Sequence, residues 1–168
     1  SSVFAISPCK GDNKRSLFKP LKWHKCIGIE KVDNGKYEGE YRFGKFDGHG
    51  TFIWSDDRKY IGKWKKGKKN GFGIYTSSNE QYSYEGEWKN GVMSGQGTYF
   101  YPFGNTYIGE WKNGKKEGKG TYIYTFGGKY IGDWVNDKKH GEGFSMDGEG
   151  NSYKGDFLHG EMEGEGVY

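Results

Sequence analysis

Several short stretches of this sequence hold residue types that could do chemistry. Gly143–Asp147 reads G-F-S-M-D and approaches the G-x-S-x-G turn of hydrolase nucleophiles, but Asp147 stands where that turn needs glycine. Asp147, Glu149 and Asn151 offer oxygen ligands at calcium-loop spacing, yet the glycine at position six and the glutamate at position twelve of such a loop are missing. The Gly-x-Gly pairs are followed neither by a third glycine nor by Gly-Lys-Ser/Thr, so they do not indicate a nucleotide site. These stretches predict no catalytic centre.

Histidines and cysteines give a weak signal for metal binding. His24 and Cys26 could share a metal ion with Cys9, but no C-x-x-C or H-x-x-x-H spacing accompanies them. We therefore interpret them as ordinary residues of an N-terminal arm. The other histidines each lie in or near a turn or a glycine pair of a different part of the chain: His49, His140 and His159. Their separation favours solvated turn residues over a zinc site between two chains, and we predict no metal and no cofactor.

The positions of glycine and of the aromatic residues reveal an internal repeat. The stretch YIGEWKNGKKEGKGTY, from Tyr107 to Tyr122, returns nearly unchanged at steps of 23 or 24 residues. Its anchor, Tyr-x-Gly-x-aromatic, occurs six times, starting at Tyr37, Tyr60, Tyr84, Tyr107, Tyr130 and Tyr153. A glycine pair follows each anchor: Gly48/Gly50, Gly71/Gly73, Gly95/Gly97, Gly118/Gly120, Gly141/Gly143 and Gly164/Gly166. A catalytic site is built once, whereas a phrase built six times indicates a repeat protein.

Each repeat has the pattern of a β-hairpin. The Tyr, the Gly and the aromatic residue of the anchor stand at alternate positions, so they share one face of a first strand, with Glu or Lys on the other face. A turn that usually holds Gly follows, and a second strand begins at the glycine pair. Glycine weakens a strand, and we predict that both glycines of a pair leave space for a neighbouring Tyr or Trp ring over the backbone. Because a lone hairpin is marginal in water, the hairpins must cover one another.

These patterns predict an all-β fold, an elongated solenoid of six stacked antiparallel β-hairpins in a single twisted sheet. We place the array at residues 31–168, with repeats starting near 37, 60, 84, 107, 130 and 153 and with the last one truncated. Residues 1–30 break the period and are predicted to be an irregular N-terminal arm or a cap on the first edge. Within them, IGIEKVDNG, from Ile27 to Gly35, resembles the second strand and turn of a degenerate earlier repeat.

Composition narrows the class of protein. Only 32% of residues are hydrophobic while 18% are aromatic, so rings must supply most of the apolar surface. The formal net charge of +4, next to 22 acidic residues, is a weak footprint for nucleic acid. Two cysteines do not make a disulfide framework, which favours a reducing, cytoplasmic compartment, and no apolar run reaches the roughly 18 residues of a membrane span. The start without Met and the stop inside a repeat lead us to expect a piece of a longer protein.

The phrase Tyr-x-Gly-x-Trp, followed by a Gly turn, Gly-x-Gly and an aromatic strand, resembles the MORN repeat (membrane occupation and recognition nexus) over residues 35–168. The sequence departs from that pattern at Tyr41 and Phe157, where Trp is usual, and at Asp137, where the turn has Gly. The resemblance implies a β-hairpin array with a groove that acts as a scaffold or adaptor, alone or beside a catalytic domain. It also leaves open end-to-end dimers, a partner helix in the groove, and phospholipid binding, which is contested for the family.

The second-strand aromatic residues exceed what one thin sheet needs for packing, so they predict a partner-binding groove. Tyr and Trp dominate interface hot spots, and a groove lined with them fits an amphipathic helix or an extended peptide. The predicted partner-binding residues are Phe52, Trp54, Tyr75, Tyr99, Tyr101, Tyr122 and Tyr124. The first-strand Tyr and Trp rows are assigned mainly to packing between repeats. Apolar residues of the opposite parity could line the exposed face instead: Ile53, Ile74, Phe100, Ile123 and Phe144.

A second candidate surface is basic. Each repeat puts the turn between its two strands on the same edge, so the lysines of these turns form a stripe. The lysines that could meet an anionic lipid surface are Lys65, Lys66, Lys68, Lys69, Lys115 and Lys116. Lysine at a sheet edge also protects that edge from pairing with other chains. The acidic residues at outer first-strand positions are predicted to form cross-strand ion pairs with lysine.

We predict from these observations a non-catalytic scaffold that binds a helix or peptide of a partner protein in its aromatic groove, at a cytoskeletal or membrane-associated assembly. Two alternatives stay open at this point. One is a phosphoinositide-binding module that uses the basic edge, and the other is a regulatory repeat segment of a larger enzyme of the lipid kinase or lysine methyltransferase type. The expected partners are a protein, a second copy of the chain or an anionic membrane surface, and not nucleic acid.

Overall fold

The computed structural model describes residues 7–9 and 24–167, which are largely β-structure. The strands are β1 (Cys26–Val32), β2 (Gly35–Arg42), β3 (Lys45–Trp54), β4 (Lys59–Lys65), β5 (Lys68–Thr76), β6 (Ser83–Lys89), β7 (Val92–Phe100), β8 (Thr106–Lys112), β9 (Lys115–Ile123), β10 (Lys129–Val135), β11 (Lys138–Met146), β12 (Ser152–Leu158) and β13 (Glu161–Val167). Single-turn 3-10 helices at Ser78–Glu80 and Pro102–Gly104 lie in two of the connections. Among the described residues, no helix combines the length and the apolar character that a bilayer crossing requires.

The strands follow one another in the sheet in chain order, from β1 to β13. Successive strands pair antiparallel, as β8 does with β7 and with β9. The predicted all-β class and the succession of antiparallel hairpins are therefore confirmed. The chain divides into two compact units, which we describe separately: unit 1 comprises Ser1–Asn79 and Trp88–Gly91, and unit 2 comprises Glu80–Glu87 and Val92–Tyr168.

Two-residue turns join the strands within each repeat. Asn113 and Gly114 connect β8 to β9 with φ angles of 53° and 80°. Two positive φ angles are typical of the type I′ turn, whose twist matches that of the flanking strands and which favours Asn-Gly. Asn136 and Asp137 connect β10 to β11 with φ angles of 49° and 70°. The departure from the repeat pattern at Asp137 thus changes the residue and keeps the turn, because Asp also tolerates this conformation.

The two glycines of each pair are needed for different reasons. The register between β8 and β9 shifts between Gly109 and Trp111, which marks a β-bulge, and Gly118 at this bulge has a φ angle of 63°. Gly120 is needed for space, because a Cβ there would lie 2.4 Å from the hydroxyl oxygen of Tyr107. The prediction that both glycines make room for a ring is right for the second glycine and wrong for the first. The first glycine is needed because the backbone there has a positive φ angle, which glycine adopts without strain. The first glycines with positive φ are Gly48, Gly71, Gly95, Gly118, Gly141 and Gly164.

The anchor tyrosines form the core on one face of the sheet, which we call the aromatic face. Their side chains are buried: Tyr37, Tyr60, Tyr84, Tyr107, Tyr130 and Tyr153. Each hydroxyl donates to the main-chain oxygen three residues ahead, as Tyr107 does to Glu110 at 3.0 Å. A buried ring whose hydroxyl has an acceptor adds a large apolar area without an unpaired polar group.

A tryptophan links one repeat to the one before it. The ring of Trp111 meets those of Tyr84 and Tyr107 edge-on, with centroids 5.4 Å and 5.2 Å apart. Its indole Nε1 donates to the main-chain oxygen of Gly97 at 3.2 Å, in the preceding hairpin. Trp64 repeats this arrangement within unit 1. These contacts agree with the packing role predicted for the first-strand rows.

The first strand extends the array toward the N-terminus. β1 pairs with β2 along its whole length, so Ile27–Gly35 forms the strand and turn that its resemblance to a repeat suggested, and the predicted boundary near residue 31 falls inside a strand. Cys9 and Cys26 form a disulfide, and Cys9 N donates to Ile27 O at 2.8 Å. A disulfide is unexpected for the reducing compartment that the cysteine count favoured. The rest of the predicted arm, at residues 1–6 and 10–23, lies outside the described residues.

Candidate partner-binding surfaces

The second-strand aromatic residues that were predicted to bind a partner lie on the aromatic face. Phe52 is 5% exposed, and the other six are half-buried. In unit 2 their rings form a continuous row, in which the centroids of Tyr99 and Tyr101 are 4.5 Å apart and those of Tyr101 and Tyr122 are 5.6 Å apart. Mutual packing thus covers part of each ring, and binding of a partner by this row stays a prediction.

Two of the predicted lipid-binding lysines turn onto the aromatic face. Lys69 Nζ lies 3.7 Å from the ring centroid of Trp88 and 5.0 Å from that of Tyr75. Lys116 Nζ lies 4.5 Å from the ring centroid of Trp134. Both are cation–π contacts, and burial among the rings lowers the pKa of Lys69 to about 8. These two ammonium groups are therefore part of the packed face and do not extend the basic stripe.

The position that Lys69 and Lys116 occupy explains why a lysine can lie among rings. It is the second residue of each second strand, and it holds a long or aromatic side chain in every repeat: Phe46, Lys69, Met93, Lys116, Lys139 and Met162. In the first repeat the ring of Phe46 stacks on Tyr37 with centroids 3.8 Å apart. A lysine stem fills the same space with its methylene groups. The other predicted lipid contacts are exposed: Lys65, Lys66, Lys68 and Lys115.

The opposite face of the sheet carries the exposed apolar side chains, and we call it the isoleucine face. In β8, Ile108 is 48% exposed whereas Tyr107 beside it is 0% exposed. Cross-strand pairing aligns Ile108, Thr121 and Ile131 in one row. Its large apolar side chains that are 39% to 53% exposed include Ile53, Ile61, Phe72 and Ile74 in unit 1 and Phe100, Ile108, Ile123 and Ile131 in unit 2. Contiguous apolar surface of this kind is typical of interaction sites.

In unit 2 the isoleucine face contains a cleft of about 890 Å³. Its apolar lining comes from Ile108, Ile131, Phe144 and Val167, together with the glycines of the central rows. Charged side chains of both signs also line it: Lys119, Glu142, Lys154 and Asp156. The volume lies within the usual range of ligand pockets, about 300–1,000 Å³. The cleft therefore has room for side chains of a bound polypeptide.

Sequence reasoning missed the isoleucines of the first strands. It assigned Glu or Lys to the outer positions of these strands and named no isoleucine there. The signal was available, because the residue between the Tyr and the Gly of the anchor is isoleucine in three repeats: Ile61, Ile108 and Ile131. Of the opposite-parity residues that the sequence left open, Phe144 is half-buried and the others are exposed: Ile53, Ile74, Phe100 and Ile123.

Several first-strand acids act at the β-bulges and not in ion pairs with lysine on a neighbouring strand. Three glutamates accept hydrogen bonds from the main-chain amide nine residues ahead: Glu40 from His49 at 2.8 Å, Glu87 from Gln96 at 3.0 Å and Glu110 from Lys119 at 3.1 Å. Asp133 forms the predicted kind of cross-strand ion pair, with Lys119 at 2.8 Å. The ion-pair prediction is thus right for Asp133 and wrong for these glutamates, because the bulge presents an amide that needs an acceptor.

The Asp147 carboxylate, considered above for calcium, is occupied within its own loop. Its Oδ1 accepts from the amides of Glu149 and Asn151 at 2.9 Å each, and its Oδ2 accepts from the Asn151 side chain at 2.8 Å. The side-chain hydrogen bond from Asn151 is the main cause of the lowered pKa of Asp147. Across residues 7–9 and 24–167, no three His, Cys, Asp or Glu side chains are placed to hold a metal ion.

Comparison with known proteins identifies the repeat. The MORN repeat family matches the chain six times, at residues 37–57, 60–82, 84–106, 107–128, 130–151 and 153–168. No curated protein matches the chain. Among solved structures, the chain is similar to the TCP domain of SAS-4 (dCPAP) of Drosophila melanogaster, which was solved in complex with a proline-rich motif of Ana2 (dSTIL). The identity is 11% and the TM-score is 0.40, over 95% of this chain and 97% of that chain, and a likeness at this level does not carry a ligand across.

Proposed function

Because the chain belongs to the MORN-repeat family, we propose that it is a non-catalytic scaffold that binds a partner polypeptide on its isoleucine face. The observation that carries this proposal is the difference between neighbours in β8, where Tyr107 is buried and Ile108 is exposed. The first-strand rings of the aromatic face are buried in the core, and the second-strand rings of unit 2 pack against one another. The isoleucine face presents apolar surface that would be covered only when a partner binds.

The partner we propose is a polypeptide segment with both apolar and charged side chains. The lining of the unit 2 cleft supports this, since it combines Ile108 and Ile131 with Lys154 and Asp156. Covering two half-exposed isoleucines contributes on the order of 2 kcal/mol, before the cost of association is subtracted. One repeat is therefore too little for stable binding, and the partner segment must contact several repeats. A repeated surface suits that requirement.

Photo-crosslinking distinguishes the two faces. A benzoylphenylalanine placed at Ile108 reports contacts of the isoleucine face, and one at Tyr122, in the adjacent strand, reports contacts of the aromatic face. We expect adducts in native extract from position 108 and not from position 122, and mass spectrometry of the adduct then tells another protein from a second copy of the chain. Adducts from position 122 alone would contradict the proposal and favour the aromatic groove.

We further propose that the scaffold works in the cytoplasm, at a cytoskeletal or membrane-associated assembly. The test is to trap cysteines in intact cells with an alkylating agent before lysis. A reducing compartment would reduce the disulfide between Cys9 and Cys26, so we expect both thiols to be alkylated. If both are protected as a disulfide in freshly trapped cells, the cytoplasmic location is wrong and an oxidising compartment takes its place.

A second candidate function, binding to an anionic membrane, is supported by three exposed lysines at one turn of unit 1: Lys65, Lys66 and Lys68. Near an anionic surface each contributes about 1 kcal/mol. The test is co-sedimentation with vesicles containing phosphatidylserine, comparing the wild type with the Lys65→Glu, Lys66→Glu, Lys68→Glu variant. Binding that persists in the variant would contradict this candidate. Lys69 and Lys116 are left out because they belong to the aromatic face.

A further inference from the structure

The second repeat departs from the others at one first-strand position. The residue before the aromatic end of the anchor is acidic in five repeats: Glu40, Glu87, Glu110, Asp133 and Asp156. In the second repeat it is Lys63. Lysine has three donors and no acceptor, so β4 offers no carboxylate to the amide of Phe72. That amide corresponds to those of Gln96 and Lys119, which donate to glutamate.

The Lys63 side chain lies where the carboxylates of the other repeats lie. A Cβ on Gly118 would be 2.7 Å from the carboxylate of Glu110, which shows that the acid covers the bulge glycine. A Cβ on Gly71, the bulge glycine of the second repeat, would be 3.1 Å from Cδ of Lys63. The Lys63 stem thus covers the glycine, and its ammonium group adds positive charge where the other repeats have negative charge.

Lys63 lines a cleft of about 700 Å³ in unit 1 that is strongly basic. The ionised side chains in its lining are Arg42, Lys45, Lys63, Lys65 and Lys66, with Asp47 as the one carboxylate. Asp47 Oδ2 already accepts from the main-chain amide of Lys66 at 3.0 Å. Among the described residues, none of these five cations forms an ion pair, whereas Lys119 in unit 2 is paired with Asp133. Cations therefore outnumber carboxylates five to one in this lining.

We propose that this cleft binds an acidic segment of the partner polypeptide, whose carboxylates pair with the cations of the lining. Five cations around one site suit a segment with several acidic residues. Phe43, which is 55% exposed, and Trp64 give the cleft an apolar wall for the segment's other side chains. The proposal rests on the scaffold function and adds the chemistry of the partner.

The test is fluorescence anisotropy with a labelled hexaglutamate peptide and the full chain at low salt. We expect the peptide to bind, and Lys63→Glu to weaken binding at least tenfold, because it restores the internal carboxylate and removes a cation. Lys63→Glu keeps the fold, since glutamate occupies this position in three repeats, and a thermal melt checks that it does. The matched control is Lys59→Glu, which makes the same charge change on the same strand at an exposed residue outside the cleft lining. We expect it to change the affinity less than twofold.

Equal weakening by the two variants would overturn the site, since only the overall charge would then matter. If the wild-type chain does not bind the peptide but binds phosphatidylserine vesicles, and Lys63→Glu abolishes that binding, the acidic-peptide proposal is wrong and a membrane is the ligand. Ile108→Glu is a further control in this assay, whereas the isoleucine face itself is tested by crosslinking at position 108. We expect this variant to keep its peptide affinity, since Ile108 belongs to unit 2. Failure of the acidic cleft and failure of the isoleucine face are therefore distinguishable.

Discussion

The two faces of one strand differ as much as the interior and the surface of a globular protein. In β8, Tyr107 is fully buried over glycine, and Ile108, the next residue, is about half exposed. Alternation along the strand makes this contrast in every repeat that has isoleucine there. The rings of one face therefore stabilise the sheet, and the apolar side chains of the other face stay exposed.

The largest effect that would break this division is alkaline pH. Burial raises the pKa of Tyr130 to about 12 and raises the pKa of Tyr60 and Tyr107 as well. Unfolded tyrosine ionises near pH 10. A pKa that is higher in the folded chain gives stability that is present below pH 10 and is lost as the pH rises further. We therefore expect unfolding above pH 10.

The measurement is a pH titration followed by circular dichroism and by tyrosinate absorbance. We expect the buried tyrosines to ionise together with the loss of β-signal. Lys69 has the opposite effect, because burial lowers its pKa to about 8 in the folded chain. Its contribution to stability therefore rises as the pH increases from about 8 to its ordinary pKa of 10.5. Ionisation of all tyrosines near pH 10 while the sheet persists would contradict burial of the rings.

The next largest effect is expected from filling the space under a tyrosine ring. In Gly120→Val the new side chain would meet the Tyr107 ring, so we expect a loss of about 3 kcal/mol of unfolding free energy by denaturant titration. Gly114→Asn is the matched control, because no atom lies within 4 Å of a Cβ there and Asn tolerates positive φ. We expect less than about 1 kcal/mol for it. Similar losses in both variants would show that chain flexibility, and not ring space, explains the glycine.

A smaller effect is expected at the lysine that lies among the rings. Methionine occupies the position of Lys116 in the third and sixth repeats, at Met93 and Met162. We expect Lys116→Met to change the unfolding free energy by less than about 1 kcal/mol, since the thioether replaces the stem and keeps contact with the rings. Lys116→Glu should cost more, because it places a negative charge over ring faces. Equal losses would indicate that the ammonium group itself is required.

Much of the fold was predictable because the same pattern of tyrosine, glycine and aromatic residues occurs six times. The alternation of Tyr, Gly and an aromatic residue predicts which side chains share a face, and Asn113-Gly114 predicts the turn. The burial of Tyr107 follows as well, since a row of large rings beside glycines is suited to packing. The strand at Ile27–Gly35 was also recognisable, because its outline matches a degenerate repeat.

Other features depend on geometry that the pattern does not encode. Parity says that Tyr101 and Tyr122 share a face, but not that mutual packing leaves them half-buried while Ile108 stays exposed. The positive φ of Gly118 belongs to a bulge, which is a shift in register between two strands. Lys116 has the parity of Gly120 and Tyr122, so alternation places it on the aromatic face, although its sequence neighbours point to a basic stripe. The departure at Lys63 could be interpreted only after the structure showed that the bulge amides of other repeats donate to a carboxylate.

The central claim is that the isoleucine face binds and does not hold the fold. The most direct measurement uses Ile108→Glu with Ile131→Glu, since glutamate fills the same anchor position at Glu38 and Glu85. We would measure its unfolding free energy and its affinity for the partner captured by crosslinking. The claim predicts a stability change of no more than about 1 kcal/mol together with loss of the partner. A well-folded variant that keeps the partner would contradict the claim, and so would a variant that unfolds.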